Sequence, residues 1–348
     1  MMSTSPALSV LMPAYNAAIH LDAAIRSVLE QSFTDFELIV VNDGSSDDTV
    51  AILSRFASDS RLRVVHNECN LGLIATLHRG LAQCRAPLIA RMDADDICDS
   101  QRFERQLAFL RNRPDIDMVG GAIRFFGNIA EPNVFQFPTT HEAIHPAMLF
   151  FCPLAHPTLM FRRELVERGL FRYDDEFRHA EDYHLWSRLI LQVHVANLPE
   201  LVLHYRLHQS QVSSGQANHQ YNASLRVRKK MLGEAKIAWT DQDIVLHESV
   251  ILERPLSRPD YLEALAAWFG KIEDGNEHSA YWDAASLHQL LRGKFAEVVR
   301  RQGSNAIAVA RGVYAARYID PANIPLRERR SARACLRALL RRVRAALS

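Results

Sequence analysis

The chain has few cysteines, almost no net charge, no long apolar run and neither of the common glycine-rich phosphate loops. Its five cysteines, Cys69, Cys84, Cys98, Cys152 and Cys335, form no CxxC pair and no framework spacing. They read as reduced core or surface thiols in a cytosolic protein rather than as a disulfide scaffold. A formal net charge of +1 supplies no global field toward nucleic acid. The first apolar stretch, Leu8–Met12, is too short for the core of a signal peptide, and no basic segment precedes it. The longest apolar-rich stretch, residues 147–161, is broken by Pro153, His156 and Pro157, so it does not read as a membrane span. No GxGxxG follows the first apolar run, which disfavours a dinucleotide site, and no GxxxxGK[ST] occurs, which removes the P-loop. A nucleotide, if one binds, must be held by carboxylates, a metal and side chains.

What is present is a regular alternation. With 348 residues, 48% of them hydrophobic and 23% charged, the chain can bury a sizeable core as a soluble globular protein. Short apolar runs at Leu8–Met12, Phe36–Val41, Leu62–Val65, Leu88–Met92 and Met118–Phe126 read as strands. Helical spacing separates them, at Leu21/Ile25/Val28/Leu29, from Thr49 onward, at Leu73–Leu81 and at Phe103–Leu110. This is the signature of an α/β protein with a parallel sheet covered on both faces, whose ligands bind beyond the carboxyl ends of the strands. From about residue 127 prolines loosen the pattern. Glu181-Asp182 opens a further helix with Leu185, Trp186, Leu189 and Ile190 on its apolar face. Val193–Leu198 and Leu201–Leu207 read as a closing strand pair, and everything after about Ser213 reads as helix.

The chemistry-bearing residues fall at the predicted strand ends. Asp93-Ala94-Asp95-Asp96 places three carboxylates in four residues directly after a buried strand, where mutual repulsion and lost hydration are costly. A hard divalent cation relieves both penalties, because such ions take oxygen ligands and share them with substrate phosphates. Val41-Asn42-Asp43-Gly44-Ser45-Ser46-Asp47-Asp48 is a strand end, a tight turn and a helix start. Ser46, Asp47 or Asp48 is suited to cap that helix, whereas Asp43 stands where a ligand would lie and can accept a hydrogen bond from a base N–H.

These motifs occur in order with Pro13-Ala14-Tyr15-Asn16, Asn70-Leu71-Gly72, His156-Pro157-Thr158, Glu181-Asp182-Tyr183-His184-Leu185-Trp186 and Tyr205-Arg206-Leu207-His208. Over residues 7–210 the chain resembles the inverting glycosyltransferases of family 2. The resemblance implies a GT-A (nucleotide-diphospho-sugar transferase) fold, mainly a parallel sheet flanked by helices, followed by a helical C-terminal region. It implies a nucleotide-sugar donor, most often UDP-linked, with Asp43 on the base beside Pro13, Tyr15, Asn16 and Gly72, and Asp93 on the ribose. Asp95 with Asp96 would hold Mn²⁺ or Mg²⁺. His208 would add a metal or diphosphate contact and Arg206 a phosphate contact. Asp182 would be the general base, with Glu181 orienting it or the acceptor. Asn42 departs from the pattern, since many relatives carry Asp there.

The implied domains are a catalytic domain over 1–215, a helical region over 216–325 and a basic amphipathic tail helix over 326–348. In that tail Leu336, Leu339, Leu340, Val343 and Leu347 share a face among eight arginines, a pattern suited to an anionic membrane surface. The expected enzyme is a metal-dependent hexosyltransferase of cell-surface polysaccharide synthesis. It would be cytoplasmic or peripheral at the inner face of the membrane, act on a glycan or lipid-linked glycan acceptor, and bind no nucleic acid. Two alternatives share the fold: a catalytically inactive glycan-binding or scaffold protein, and a nucleotidyltransferase that makes sugar nucleotides. The latter wants a Gly-rich basic loop after the first strand, and Pro13-Ala14-Tyr15-Asn16 offers none.

Overall fold

The computed structural model describes residues 5–128, 133–208 and 217–301. The basic tail and Cys335 lie outside the described residues. In chain order the first elements are β1 (Leu8–Ala14), α1 (Leu21–Leu29), β2 (Phe36–Asn42), α2 (Thr49–Ser54), β3 (Leu62–His66), α3 (Leu73–Leu81), β4 (Leu88–Arg91), β5 (Ile97–Cys98) and α4 (Arg102–Asn112). There follow β6 (Met118–Gly127), β7 (Val134–Phe135), α5 (His141–Ala147), β8 (Met160–Arg162), α6 (Glu164–Glu167), α7 (Glu181–Leu189) and β9 (Val195–Leu207). The described chain ends in α8 (Ala217–Glu234), α9 (Asp241–Ile251), α10 (Tyr261–Ser279) and α11 (Ala284–Arg301).

The sheet runs β3-β2-β1-β4-β8-β6-β9-β5, with β7 paired to β6. Its first four strands are parallel, and every residue of β1 and β2 is buried. That is why these strands read as continuous apolar runs rather than as alternating ones. Beyond β4 the sheet turns mixed: β8 is antiparallel to β4 and β6, β9 is parallel to β6, and β5 is antiparallel to β9. The α1 residues Leu21, Ala24, Ile25 and Val28 share the core under this sheet with Phe36, Phe103 and Leu107.

Three sequence expectations change. The closing strand pair is one strand, β9, whose register to β6 slips at Gly121/Ala122, opposite Pro199 and Glu200. Proline cannot donate to the ladder, and the bulge absorbs it without ending the strand. The helix from Thr49 is only six residues long and has no side-chain cap from Asp48. Asp47 instead accepts from the Thr49 N–H and hydroxyl. The loosened region after residue 127 contains a helix, α5. Trp186, read as core, is fully buried, and His156 is tied to the Tyr173 hydroxyl at 2.7 Å in a single 3₁₀ turn.

Residues 5–145 with 152–227 form one compact unit, and residues 146–151 with 228–301 belong to a second. The second unit is all helical beyond its first segment. Trp268, Phe269, Leu291 and Phe295 are buried in it, and the Arg228 guanidinium meets Glu248 in a buried two-point pair. In this unit His247 is held neutral by burial, its pKa pushed down to about 4. The Trp268 N–H donates to its Nδ1, leaving Nε2–H to donate to the Leu149 carbonyl at 2.7 Å. Among the described residues no helix is long and apolar enough to cross a membrane.

Candidate active site

Every candidate site residue lies in the first unit, and most sit where parallel strands end. β2 stops at Asn42, and the next residue, Asp43, is 3% exposed. Its Oδ1 accepts from Asn67 Nδ2 at 2.6 Å and the Leu71 N–H at 2.8 Å, and its Oδ2 from the Gly72 N–H at 3.0 Å. The carboxylate thus folds the Asn67–Gly72 loop around itself and keeps one lone pair of Oδ2 uncommitted. Gly44 follows with φ +67°, and a Cβ there would come within 2.4 Å of the Cys69 carbonyl carbon, so only glycine fits. Asn42 binds His66 Nδ1 and accepts from the Ser45 N–H. The Asn42 side chain therefore stabilises this turn from within the protein.

The loop after β1 is stitched to the same turn. Asn16, in a left-handed conformation (φ 47°), donates its N–H to Ser45 Oγ and accepts from the Ser46 N–H. The N–H groups of Ala17 and Ala18 reach Thr49 Oγ1 and Asp47 Oδ2. Pro13 stays within β1 in register with Val41, while Tyr15 is 51% exposed.

The acidic turn follows β4, and β1 lies between β2 and β4. At the usual strand spacing the ends of β2 and β4 stand about 10 Å apart. Ligand oxygens of Asp93, Asp95 and Asp96 all lie within 4.8 Å of one another. Asp96 is 1% exposed; its Oδ1 accepts from the Arg206 N–H at 2.8 Å, and its Oδ2 has no hydrogen-bond partner among the described residues. Burial, then the charges of Asp93 and Asp95, push its carboxyl well above the ordinary range. Asp95 accepts from Arg206 Nε through its carbonyl, and its Oδ2 lies 3.0 Å from His208 Nε2. Asp93 is raised by desolvation against the opposing pull of Arg91, with which it pairs. Three hard carboxylates, one carrying a buried and unsatisfied oxygen, fit a divalent cation.

Glu181 and Asp182 begin α7, where the macrodipole favours acids. Asp182 Oδ1 accepts from the Tyr183 N–H at 2.7 Å. Burial first, and Glu181 second, push the Asp182 carboxyl up to about 6. Glu181 is raised by burial too, opposed by its own N–H and that of His179. Asp182 contributes to the rise of Asp93, so the start of α7 faces the acidic turn.

The structure therefore gathers Asp93, Asp95, Asp96, Arg206 and His208 into one cluster, sets Glu181 and Asp182 within its field, and binds Asp43 to Gly72. Among the described residues no hydrogen bond joins Tyr15 to the acids, while Pro13 lies two residues beyond the Leu11–Arg91 pairing of β1 and β4, beside the start of the acidic turn. Two residues escaped the sequence reading. Arg91 is a buried guanidinium whose charge is felt by Asp93, Asp96, Glu181 and Asp182. An arginine inside the apolar run 87–92 was its signal, since a buried cation demands a partner. His20, its ring 5.0 Å from that of His208, left no such signal.

A family model described as glycosyl transferase family 2 matches residues 9–170. An uncharacterized glycosyltransferase of Haemophilus influenzae is 32% identical over 239 residues, covering 66% of this chain and 74% of that protein. The chain belongs to glycosyl transferase family 2. As a member it is an enzyme, and the stretch matched by the family model carries Asp43, Gly72 and the acidic turn of this glycosyltransferase but not Glu181, Asp182, Arg206 or His208. The transferase is also 30% identical over 209 residues to the Escherichia coli UDP-Glc:alpha-D-GlcNAc-diphosphoundecaprenol beta-1,3-glucosyltransferase WfgD, covering 60% of this chain and 79% of that one. Its backbone is similar to residues 1–349 of S. aureus TarS, solved in complex with UDP-GlcNAc. The TM-score is 0.56 at 18% identity, over 85% of this chain and 92% of that chain. At such identity the likeness concerns the fold, which is GT-A.

Proposed function

We propose that this glycosyltransferase moves a hexose from a nucleoside-diphosphate sugar, UDP-hexose first among them, to a hydroxyl of a glycan or lipid-linked glycan, inverting the anomeric centre. The observation that carries this reading is Asp182: a half-buried carboxyl pushed up to about 6, at a helix start facing the acidic turn. A general base works best with a pKa near the working pH, and at pH 7 most of this group is ionised. Asp182 takes the proton of the acceptor hydroxyl as its oxygen attacks the anomeric carbon. The bond from that carbon to the diphosphate oxygen breaks on the opposite face, through an oxocarbenium-like transition state. Glu181 orients the base and raises its pKa. Asp43 offers the base of the nucleotide its uncommitted lone pair, Asp93 meets the ribose, and Arg206 supports the phosphates.

Asp95, Asp96 and His208 would hold a divalent cation, Mn²⁺ or Mg²⁺, and when bound the ion neutralises charge on the departing diphosphate. The name of the E. coli relative, with its UDP-linked donor, lipid diphosphate acceptor and β product, supports the same donor, acceptor class and inversion. In this reading residues 1–215 are the catalytic domain, 216–325 a C-terminal region whose described part, 217–301, is helical, and 326–348, outside the described residues, a basic segment that meets the inner membrane surface. The site of action is cytoplasmic, in cell-surface polysaccharide synthesis.

An Asp182→Asn variant tests the proposal. Donor binding by calorimetry should stay within a few-fold of wild type while turnover falls at least ~100-fold, the usual reach of a general base. Unchanged turnover removes Asp182 from the mechanism. A scaffold that merely kept the fold would show no turnover to lose.

A further inference from the structure

The segment before α7 carries a cation that none of these roles uses. Arg178 follows the 3₁₀ turn Asp175–Phe177 and stands three residues before Glu181. Its Nη2 lies 3.4 Å from the position a Cβ would take on Gly72, and beyond residues 71–73 no other heavy atom of the described residues lies within 4 Å of that position. The guanidinium thus reaches over the loop that Asp43 holds through the Leu71 and Gly72 N–H groups. Two neighbouring cations are engaged, Arg226 with Glu176 and Arg188 with the Arg172 carbonyl. Arg178 is exposed, and among the described residues its side chain has no hydrogen bond or ion pair. Directly after it His179 adopts φ +74°, a left-handed conformation that a non-glycine residue holds only where the surrounding fold enforces it. The His179 N–H then supports Glu181, so the turn that presents Arg178 is continuous with the one that sets the proposed base.

We propose that Arg178 is a donor-binding residue, its guanidinium taking acceptor oxygens of the nucleoside diphosphate seated over Asp43 and Gly72. Arginine has five N–H donors and no acceptor, so its complement is an oxygen-rich group. Two parts of the donor supply one, a base carbonyl and a phosphate. Either contact ties the nucleotide loop to the loop that bears Glu181 and Asp182. The inference rests on the donor-site reading given above.

The test is titration calorimetry of the full chain with uridine, UMP and UDP in the presence of Mn²⁺, for wild type, Arg178→Gln and Arg178→Lys. UDP binding should weaken about 10- to 100-fold in Arg178→Gln, the range of a lost charged hydrogen bond, and less in Arg178→Lys. The melting temperature should move by little, because among the described residues the side chain makes no hydrogen bond or ion pair and only its charge is felt, by Glu181 and His179. Equal weakening for uridine places the contact on the base, and weakening confined to UMP and UDP places it on phosphate; both uphold the proposal. UDP affinity within two-fold of wild type in Arg178→Gln overturns it. A wild-type chain that binds no nucleoside diphosphate overturns the donor-site reading and this inference with it, so the two failures are told apart.

Discussion

Asp43 and Asp96 are buried carboxylates at the carboxyl edge of one sheet, the first just past β2 and the second just past β4, yet the protein treats them in opposite ways. Asp43 accepts three hydrogen bonds from Asn67, Leu71 and Gly72. Among the described residues Asp96 accepts one, from the Arg206 N–H, and its Oδ2 is buried without a partner beside two more acids. A buried polar atom left unmatched costs stability. The Asp43 region is a finished piece of protein architecture that also presents a lone pair, whereas the Asp93–Asp96 turn is left incomplete, and the proposed cation would complete it.

The sharpest way to break this contrast is Asp43→Ala. It strands three donors at once and should lower stability by about 3 kcal/mol or more, read by urea denaturation. A loss below about 1 kcal/mol would mean that the Asn67–Gly72 loop is held by something else.

Asp96→Asn should act with the opposite sign. Asparagine keeps an acceptor for the Arg206 N–H and removes a buried charge. Because the folded-state pKa of Asp96 is raised, the stability this group contributes is full below its unfolded pKa and is lost as pH rises through the folded value. The metal-free variant should therefore gain about 1 kcal/mol at pH 8 and nothing at pH 4, read by thermal melts. Mn²⁺ should raise the melting temperature of the wild type more than that of the variant. Equal metal responses would remove Asp96 from the ligand set.

A smaller effect sharpens the picture at α7. Turnover should fall as pH drops through about 6, where Asp182 takes up its proton. Glu181→Gln removes the second of the two causes that hold Asp182 up and leaves its desolvation, so the acid limb should move to lower pH by up to about one unit, read from the pH profile of kcat/KM. An unmoved limb would assign it to a different group.

Much of this was legible beforehand. The runs Leu8–Met12, Phe36–Val41 and Leu88–Met92 are strands because parallel strands buried on both faces need uninterrupted apolar sequence, and Leu73–Leu81 carries its helical spacing plainly. The polar motifs fell at strand ends because the alternation of strand and helix puts one turn after each strand. The second half of the sheet was harder. Pro199 looked like a strand end, and only the parallel partner β6, with its slip at Gly121/Ala122, shows the strand continuing. Arg91 hid inside an apolar run, and its role depends on carboxylates that converge from β4 and α7.

Local order in the chain was enough to name the α/β class, place the acidic turn and identify the family, because strand periodicity, turn glycines and clustered carboxylates are properties of neighbouring residues. Tertiary structure alone decided which carboxyls are satisfied and which are poised. It brings His208 to Asp95 across 113 positions and lays Arg178 over Gly72. It also half-buries Asp182 beside Glu181, and the lost hydration together with that charge lifts its pKa to about 6. Desolvation and charge coupling act through space over a few ångströms, and distance along the chain carries no record of them.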